Sequence, residues 1–415
     1  MTDHLQRLAF LSLHSSPLAV PGTTKAGGMN VYIRELTQRL GASGRQVEIF
    51  TRRDAPDAPE TVDLSPNVRV VNVPAGPPRP LSAMEALEWV PQFSVSVQAT
   101  AQLHDWTYDL IHSHYWLSGL AGITLADAWQ RPHVSMFHTL GEIKNRARRS
   151  EREPLQRLEA ERRVVQQADR VICATTHERD FLVEYYGAHA DCVAVVPAGV
   201  DVEQFRPGDQ AAARRALDLP DGPLVLFIGR IEPIKGVDIL LRAAVETEVA
   251  QPLTVLIVGG DAADPERRRL EALSRELGLA SRVLFRDAVR RADLPAYYQA
   301  ADLCVVPSYY ESFGLVAVEA LACGIPVVAT RVGGLQYTVR DGQSGYLISW
   351  RCAEPFAERM ETLLGNVDLR RRFGVTARES VMRFAWPTVT DAVVDVYETL
   401  LRLHASGLGA GCRAG

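Results

Sequence analysis

Leu303-Cys304-Val305-Val306-Pro307-Ser308-Tyr309-Tyr310-Glu311-Ser312-Phe313-Gly314-Leu315-Val316-Ala317-Val318-Glu319-Ala320 is the stretch whose reading decides the fold. The first four residues are a short apolar run stopped by Pro307, the pattern of a strand buried on both faces. From Leu315 the residues favour a helix, which Cys323-Gly324 ends near Ala322. Pro326 then opens a second apolar run, Val327-Val328-Ala329-Thr330. Strand, turn, helix and strand in this order build a parallel sheet covered by helices. In such sheets ligands bind where strand ends meet helix N-termini. Glu311 stands on that turn. Glu319 stands two helical turns further on, so the two carboxylates are expected to touch different parts of one ligand.

The same alternation runs outward in both directions. Leu224-Val225-Leu226-Phe227-Ile228, Leu253 to Val258 and Val283-Leu284-Phe285 read as strands, with helices Val237 to Ala244, Pro265 to Leu277 and Leu294 to Ala300 between them. The N-terminal half repeats the theme, with strands at Leu8–Leu13, Val47–Thr51, Val68–Val73, Asp109–Trp116, Pro132–Thr139, Ala168–Thr175 and Val193–Pro197. Helices are expected over Val31–Leu40, Ser82–Leu103 and Ile143–Gln167, with a further helix after the Ala168–Thr175 strand to about Tyr186, and 52–67 reads as a surface loop. Ala198 to Pro207 is rich in turn residues and serves as the linker. The reading is an α/β fold with two doubly wound, Rossmann-like parallel-sheet domains facing across a cleft. The expected boundaries are 1–200 and 201–385. A C-terminal helix over 386–405 is expected to pack back on the first domain, with a disordered tail over 406–415.

A chain of 415 residues exceeds what one hydrophobic core holds, in keeping with two domains. A net charge of −5 gives no reason to expect nucleic acid as a partner. No apolar run reaches the ~20 residues a membrane span needs. Leu8–Leu13 is too short for a signal-peptide core and His14 interrupts it. Six cysteines lie at 173, 192, 304, 323, 352 and 412, without a Cys-x-x-Cys pair. They read as buried, reduced thiols in a cytoplasmic protein.

Groups able to hold a ligand gather at strand ends. Arg230 and Lys235 follow one strand and together suit a diphosphate, one as a planar fork and the other as a point charge. A nearby glutamate can accept hydrogen bonds from sugar hydroxyls, so the combination points to a nucleotide-sugar. Gly27-Gly28-x-Asn30 opens a helix whose free N–H groups favour phosphate. His112 and His114 share a strand face, but a strand-end turn is expected to splay them and no third metal ligand stands at suitable spacing. No Asp-x-Asp pair occurs at a strand end, so neither a metal nor a cofactor is expected to be required.

Glu311-x7-Glu319 around Ser312-Phe313-Gly314, Gly229-Arg230 with Lys235-Gly236, Gly27-Gly28-x-Asn30 and Val332-Gly333-Gly334 together resemble the retaining glycosyltransferases of family 4, which have the GT-B fold. The likeness spans nearly the whole chain. Within the family, Gly-Gly-Met-Asn-Val-Tyr and His-Ser-His-Tyr-Trp-Leu-Ser-Gly resemble the mycothiol-pathway inositol-phosphate N-acetylglucosaminyltransferases and the sucrose-phosphate synthases.

The resemblance implies roles. Arg230 and Lys235 would hold the donor diphosphate. Glu319 would hold the ribose and Glu311 would face the donor sugar. Backbone groups around Phe313, Gly314 and Leu315 would position sugar and phosphate. Gly28 would approach the donor phosphate and His138 would contact the sugar near the reacting carbon. Asn30, Tyr115, Thr139 and Arg157 would form the acceptor side. The implied partners are a nucleotide-sugar, most often UDP-linked, and a small acceptor such as inositol phosphate, a sugar phosphate or an unphosphorylated small molecule; a homodimer stays open. In one respect the chain departs from those relatives: they carry a phosphate-binding lysine where Ala83 stands here, and only Arg79 is near to replace it. The implied mechanism is front-face transfer with retention. An epimerase acting on a nucleotide-sugar alone, and an inactive nucleotide-sugar-binding protein, are the alternatives.

Overall fold

The computed structural model describes residues 5–19, 27–147, 152–349 and 351–406. Eight strands form the first sheet: β1 (Arg7–Leu11), β2 (Gln46–Arg52), β3 (Thr61–Ser65), β4 (Val68–Val73), β5 (Leu110–His114), β6 (His133–Met136), β7 (Arg170–Cys173) and β8 (Val193–Val195). Their spatial order is β3-β4-β2-β1-β5-β6-β7-β8, with every pairing parallel except β3 on β4. Six strands form the second sheet: β9 (Leu224–Ile228), β10 (Thr254–Val258), β11 (Val283–Arg286), β12 (Leu303–Val306), β13 (Val327–Thr330) and β14 (Gly345–Ile348). Their order is β11-β10-β9-β12-β13-β14, all parallel.

Contacts divide the chain into two compact units. One contains Gly28–Pro197 with the N-terminal strand and the helix residues from Pro387 onward; the other contains Ala198–Trp386 together with Gly27. In each sheet the winding reverses beside a central strand, between β1 and β5 in the first and between β9 and β12 in the second. The loops leaving such a pair diverge and open a crevice at the carboxyl edge of the sheet. The central strands carry no alternation because helices cover both faces. All five residues of β9 and all four of β12 are buried. Truncating one of these side chains to alanine costs about 2–5 kcal/mol.

Several sequence expectations change. The loop over 52–67 contains β3, a short antiparallel edge strand whose half-exposed residues give only a weak alternating signal. The helix expected over Ser82–Leu103 is two, Ala83–Leu87 and Val90–Leu103, because Pro91 sits in the first turn of the second and interrupts continuity. The stretch Ile143–Gln167 is likewise two helices, Gly141–Ala147 and Leu155–Gln167, with Pro154 at the start of the second. β14 and the helices Ala353–Leu364 and Val367–Val381 were not foreseen. Cys173, Cys304 and Cys323 are buried free thiols, but Cys352 is exposed and Cys192 is disulfide-bonded. Sequence spacing does not reveal which cysteines meet in space. Cys412 and the tail beyond Ser406 lie outside the described residues.

At the end of β7, Thr175 caps the helix Thr176–Tyr186 by accepting from the Glu178 amide at 3.1 Å. Glu178 in turn accepts from the Ala174 amide at 3.1 Å, and burial pushes its carboxyl up to about 7. A carboxyl raised in the fold favours folding below its unfolded value near 4.5, and that contribution is lost as pH rises through about 7. Glu178→Gln keeps the amide partner without the ionisation. It is expected to raise the urea midpoint at pH 8 and to leave it nearly unchanged at pH 5; the opposite pattern would mean that the native carboxyl is ionised.

Candidate active site

At the carboxyl edge of the second sheet, β9 passes into Gly229-Arg230 and a single 3₁₀ turn, Pro233–Lys235. Gly236 follows with φ +66°, and a Cβ there would stand 2.2 Å from the Pro307 carbonyl oxygen. Only glycine allows this approach, which joins the loop after β9 to the loop after β12. The Tyr309 amide donates to the Ile234 carbonyl at 2.8 Å across the same junction. Lys235 Nζ then lies 2.5 Å from Glu311 Oε1, and the Ser308 hydroxyl donates to that same oxygen at 3.2 Å. Arg230 Nη1 lies 2.5 Å from Glu232 Oε1. Each cation thus has a carboxylate neighbour, that of Arg230 on its own loop and that of Lys235 on the loop after β12.

The Glu311 turn is also gripped from the β13 side. A Cβ on Gly333, at φ +44°, would fall 2.0 Å from the Glu311 carbonyl oxygen, and the Gly334 amide donates to that oxygen at 2.9 Å. Phe313 is buried, its ring edge-on to Phe384 at 5.3 Å, so only its backbone can serve a ligand. Gly314 caps the helix Leu315–Ala322 without a side-chain hydrogen bond, and Leu315 is half-buried.

Glu319 is buried at 3% exposure, not a solvated helix charge. Its Oε2 accepts from the Tyr298 hydroxyl at 2.8 Å and its Oε1 from Arg291 Nη1 at 2.5 Å. Burial, and then Glu319 itself, drive the Tyr298 hydroxyl and the Cys304 and Cys323 thiols upward. Arg291 and Tyr298 were not foreseen. They lie 28 and 21 residues from Glu319, and no spacing rule links them to it.

At the carboxyl edge of the first sheet, Gly28 is exposed at the start of the helix Gly28–Ala42, while Asn30 is buried and donates to Ser15 Oγ and the Ser16 carbonyl, both at 2.8 Å. Tyr115 follows β5 with φ +74°, and its ring stacks on His14 at 5.4 Å. Arg157 brings together two of the other foreseen acceptor residues, Thr139 and Tyr115. Its Nη2 donates to the Thr139 carbonyl at 3.1 Å and hydroxyl at 3.3 Å, and its guanidinium carbon stands 5.2 Å from the Tyr115 ring centre. Glu161, at 2.8 Å, and Glu153, at 3.0 Å, hold the other guanidinium nitrogens. The spacing of four residues on either side of Arg157 was the available sequence signal for these carboxylates. Lys144 pairs with Glu153, and Tyr186 donates to Glu161 at 2.6 Å. Ala83 opens its short helix, and Arg79 is exposed and pairs with Glu85 at 3.1 Å.

His112 and His114 are not splayed: their ring centres lie 4.2 Å apart on β5. The turn begins one residue later, at Tyr115, so both rings stay on the sheet face. His114 Nδ1 lies 2.9 Å from Nε2 of His138, which follows β6 with φ +61°. Burial drives the His112 and His114 imidazoles well below their ordinary range and brings His138 down to about 3. All three are neutral at physiological pH. Among the described residues no group of three or more His, Cys, Asp or Glu side chains is arranged to hold a metal ion.

Gly333→Ala tests the grip on the Glu311 turn. The left-handed backbone and the contact with the Glu311 carbonyl together are expected to cost at least about 2 kcal/mol. Urea unfolding measures this loss; a change below about 0.5 kcal/mol would mean that the turn yields freely.

Two family models cover most of the chain: "Glycosyltransferase Family 4" over residues 26–204 and "Glycosyl transferases group 1" over 209–380. A D-inositol 3-phosphate glycosyltransferase 2 of Catenulispora acidiphila is 46% identical over 98% of this chain and 99% of its own length. A D-inositol 3-phosphate glycosyltransferase of Nocardia farcinica is 43% identical over 98% of this chain and 92% of its own. Among solved structures, sucrose-phosphate synthase from Thermosynechococcus elongatus matches with a TM-score of 0.89 and 35% identity, over 96% of this chain and 99% of that one. With two parallel-sheet α/β units of the GT-B type and relatives this similar along their full lengths, the chain is a glycosyltransferase belonging to family 4.

Proposed function

We propose that this glycosyltransferase moves a sugar from a nucleotide-sugar, UDP-linked, to a hydroxyl of a small acceptor, inositol phosphate or a sugar phosphate, with retention of configuration and without a metal ion. The observation that carries the donor half is Lys235 seated on Glu311 where the second sheet reverses its winding, with Arg230 on the same loop. A cation fixed beforehand needs little reorganisation when negative charge develops next to it, which is the strongest form of electrostatic catalysis. Cleavage of the bond between sugar C1 and the phosphate oxygen puts that charge on the departing diphosphate, within the remit of Arg230 and Lys235. Glu311 Oε1 is engaged by Lys235 and Ser308, so Oε2 is the oxygen offered to a sugar hydroxyl, and Glu319 is the carboxylate offered to the ribose. Gly28 and the backbone of Phe313, Gly314 and Leu315 serve the phosphates and the sugar.

On the acceptor side, Tyr115, Thr139 and Arg157 form one contacting group, and Asn30 adds a buried amide. The two relatives described above bear names specifying D-inositol 3-phosphate, which supports a phosphorylated cyclitol. Ala83 in place of the relatives' phosphate-binding lysine, and the engagement of Arg79 with Glu85, favour an unphosphorylated small acceptor as the second reading. In the front-face route the acceptor oxygen bonds to C1 on the side the diphosphate leaves, and its proton passes to the departing phosphate oxygen.

A thermal-shift screen of nucleotide-sugars, followed by transfer assays with inositol phosphate and sugar phosphates, tests the reading. A true donor at about 100 times its Kd stabilises the fold by about 2.7 kcal/mol. Transfer is expected to persist in excess chelator and to give a product with the donor's anomeric configuration. Conversion of donor without acceptor, inversion, or abolition by chelator would each overturn the corresponding part.

Glu311→Gln separates front-face transfer from a covalent route. Measurable transfer without a trapped sugar on the protein is expected; a sugar adduct at Glu311 in the wild-type enzyme, seen by mass spectrometry, would establish the double displacement of retaining glycosidases instead.

A further inference from the structure

Glu319 sits inside the helix Leu315–Ala322 at 3% exposure, and among the described residues each of its carboxylate oxygens accepts one hydrogen bond. Arg291 Nη1 reaches Oε1 at 2.5 Å, and the Tyr298 hydroxyl reaches Oε2 at 2.8 Å. Both donors come from one segment ahead of β12. Arg291 opens the turn Arg291–Asp293, and Tyr298 lies in the helix Leu294–Ala300. Phe205 packs against both: the Arg291 guanidinium carbon stands 4.9 Å from its ring centre, and the Tyr298 ring meets it edge-on at 5.9 Å. Tyr298 is fully buried, and burial, then Glu319, hold its hydroxyl in the protonated, donating form.

The two donors do different things. The last torsion of a glutamate is soft and roughly two-fold, so a carboxylate held at one oxygen can still turn about that contact. Arg291 supplies the countercharge that a buried carboxylate needs. Tyr298 adds no charge; its rigid phenol on the other oxygen stops the turning. An ionised carboxylate has about four acceptor positions, so acceptor capacity remains on each oxygen, side by side in a fixed plane. Such a pair matches two neighbouring hydroxyls.

We infer that Tyr298 is a positioning residue for sugar recognition in the nucleotide: its hydroxyl fixes the plane of the Glu319 carboxylate, so that both oxygens accept from a vicinal diol and the site discriminates ribose from deoxyribose. The identity of the diol rests on the proposed function, in which Glu319 meets the ribose. A site built for two hydroxyls penalises a ligand that lacks one, because an acceptor is left unpaired in a buried place. Tyr298→Phe keeps the ring against Phe205 and removes only the hydroxyl.

Calorimetric titration of wild type and Tyr298→Phe with UDP and with 2′-deoxyuridine diphosphate tests this. The wild type is expected to bind UDP at least about tenfold more tightly than the deoxy ligand. In Tyr298→Phe, UDP binding should weaken by about tenfold and deoxy binding far less, so that the preference shrinks toward none. A hydroxyl with a purely structural task would weaken both ligands alike and leave their ratio unchanged. A ligand-free crystal structure of Tyr298→Phe gives a reading that needs no nucleotide: the Glu319 carboxylate is expected to turn out of its wild-type plane. Equal binding of the two ligands by the wild type overturns the inference, as does an unchanged ratio in the variant or an unturned carboxylate. If the wild type binds neither ligand, the proposed UDP-linked donor fails, while the variant's crystal structure still decides whether Tyr298 sets the Glu319 plane.

Discussion

Backbone holds the Glu311 turn from two directions, and the arrangement of the second unit depends on it. Gly236 lets the loop after β9 reach the Pro307 carbonyl, and Gly333 lets the loop after β13 reach the Glu311 carbonyl. Neither approach leaves room for a Cβ. Because β9, β12 and β13 are neighbours in one parallel sheet, the three loops leave the same edge and can lock together. The carboxylate of Glu311 is thereby fixed by main-chain geometry, and Lys235 is carried to it by the first of those loops. A side chain presented this way has few alternative positions, which is the condition for electrostatic preorganisation.

The cations of both units share a second property. Arg230 meets Glu232, Lys235 meets Glu311, Arg291 meets Glu319, and Arg157 sits between Glu153 and Glu161. Arg230–Glu232 is about a third exposed, and in the more buried pairs desolvation offsets the attraction, so they add little net stability. Removing one partner from a buried pair is expensive, on the order of 3–5 kcal/mol, since the other charge is left alone. The pairs therefore hold direction more than they add stability. Arg157 illustrates this: with only 4% of its side chain exposed, its carboxylate neighbours aim the guanidinium at Thr139 and the face of Tyr115.

The histidines follow the opposite rule. Burial keeps His112, His114 and His138 neutral, with the His114 and His138 rings joined at 2.9 Å and the Tyr397 hydroxyl 2.5 Å from His112 Nδ1. Charged pairs thus orient full charges, while the neutral rings are ordered by packing and hydrogen bonding.

The alternation of apolar runs and helical stretches was enough to read two parallel-sheet α/β halves, because a strand buried on both faces and a covering helix each leave a local mark. The strand-end clustering of Arg230, Lys235 and Glu311 was legible for the same reason: chain order fixes which residues leave the carboxyl edge of a parallel sheet. The edge strand β3 and the breaks at Pro91 and Pro154 escaped because half-exposed strands and prolines near helix starts give weak or ambiguous local signals. Residues far apart in sequence had no local mark at all. Arg291 and Tyr298 on Glu319 and His138 on His114 depend on which elements lie side by side. The sequence determined which groups stand at the strand ends. Only the tertiary structure decided which of them touch, whether they are buried, and which protons they hold, because hydrogen bonding and desolvation act across space and not along the chain.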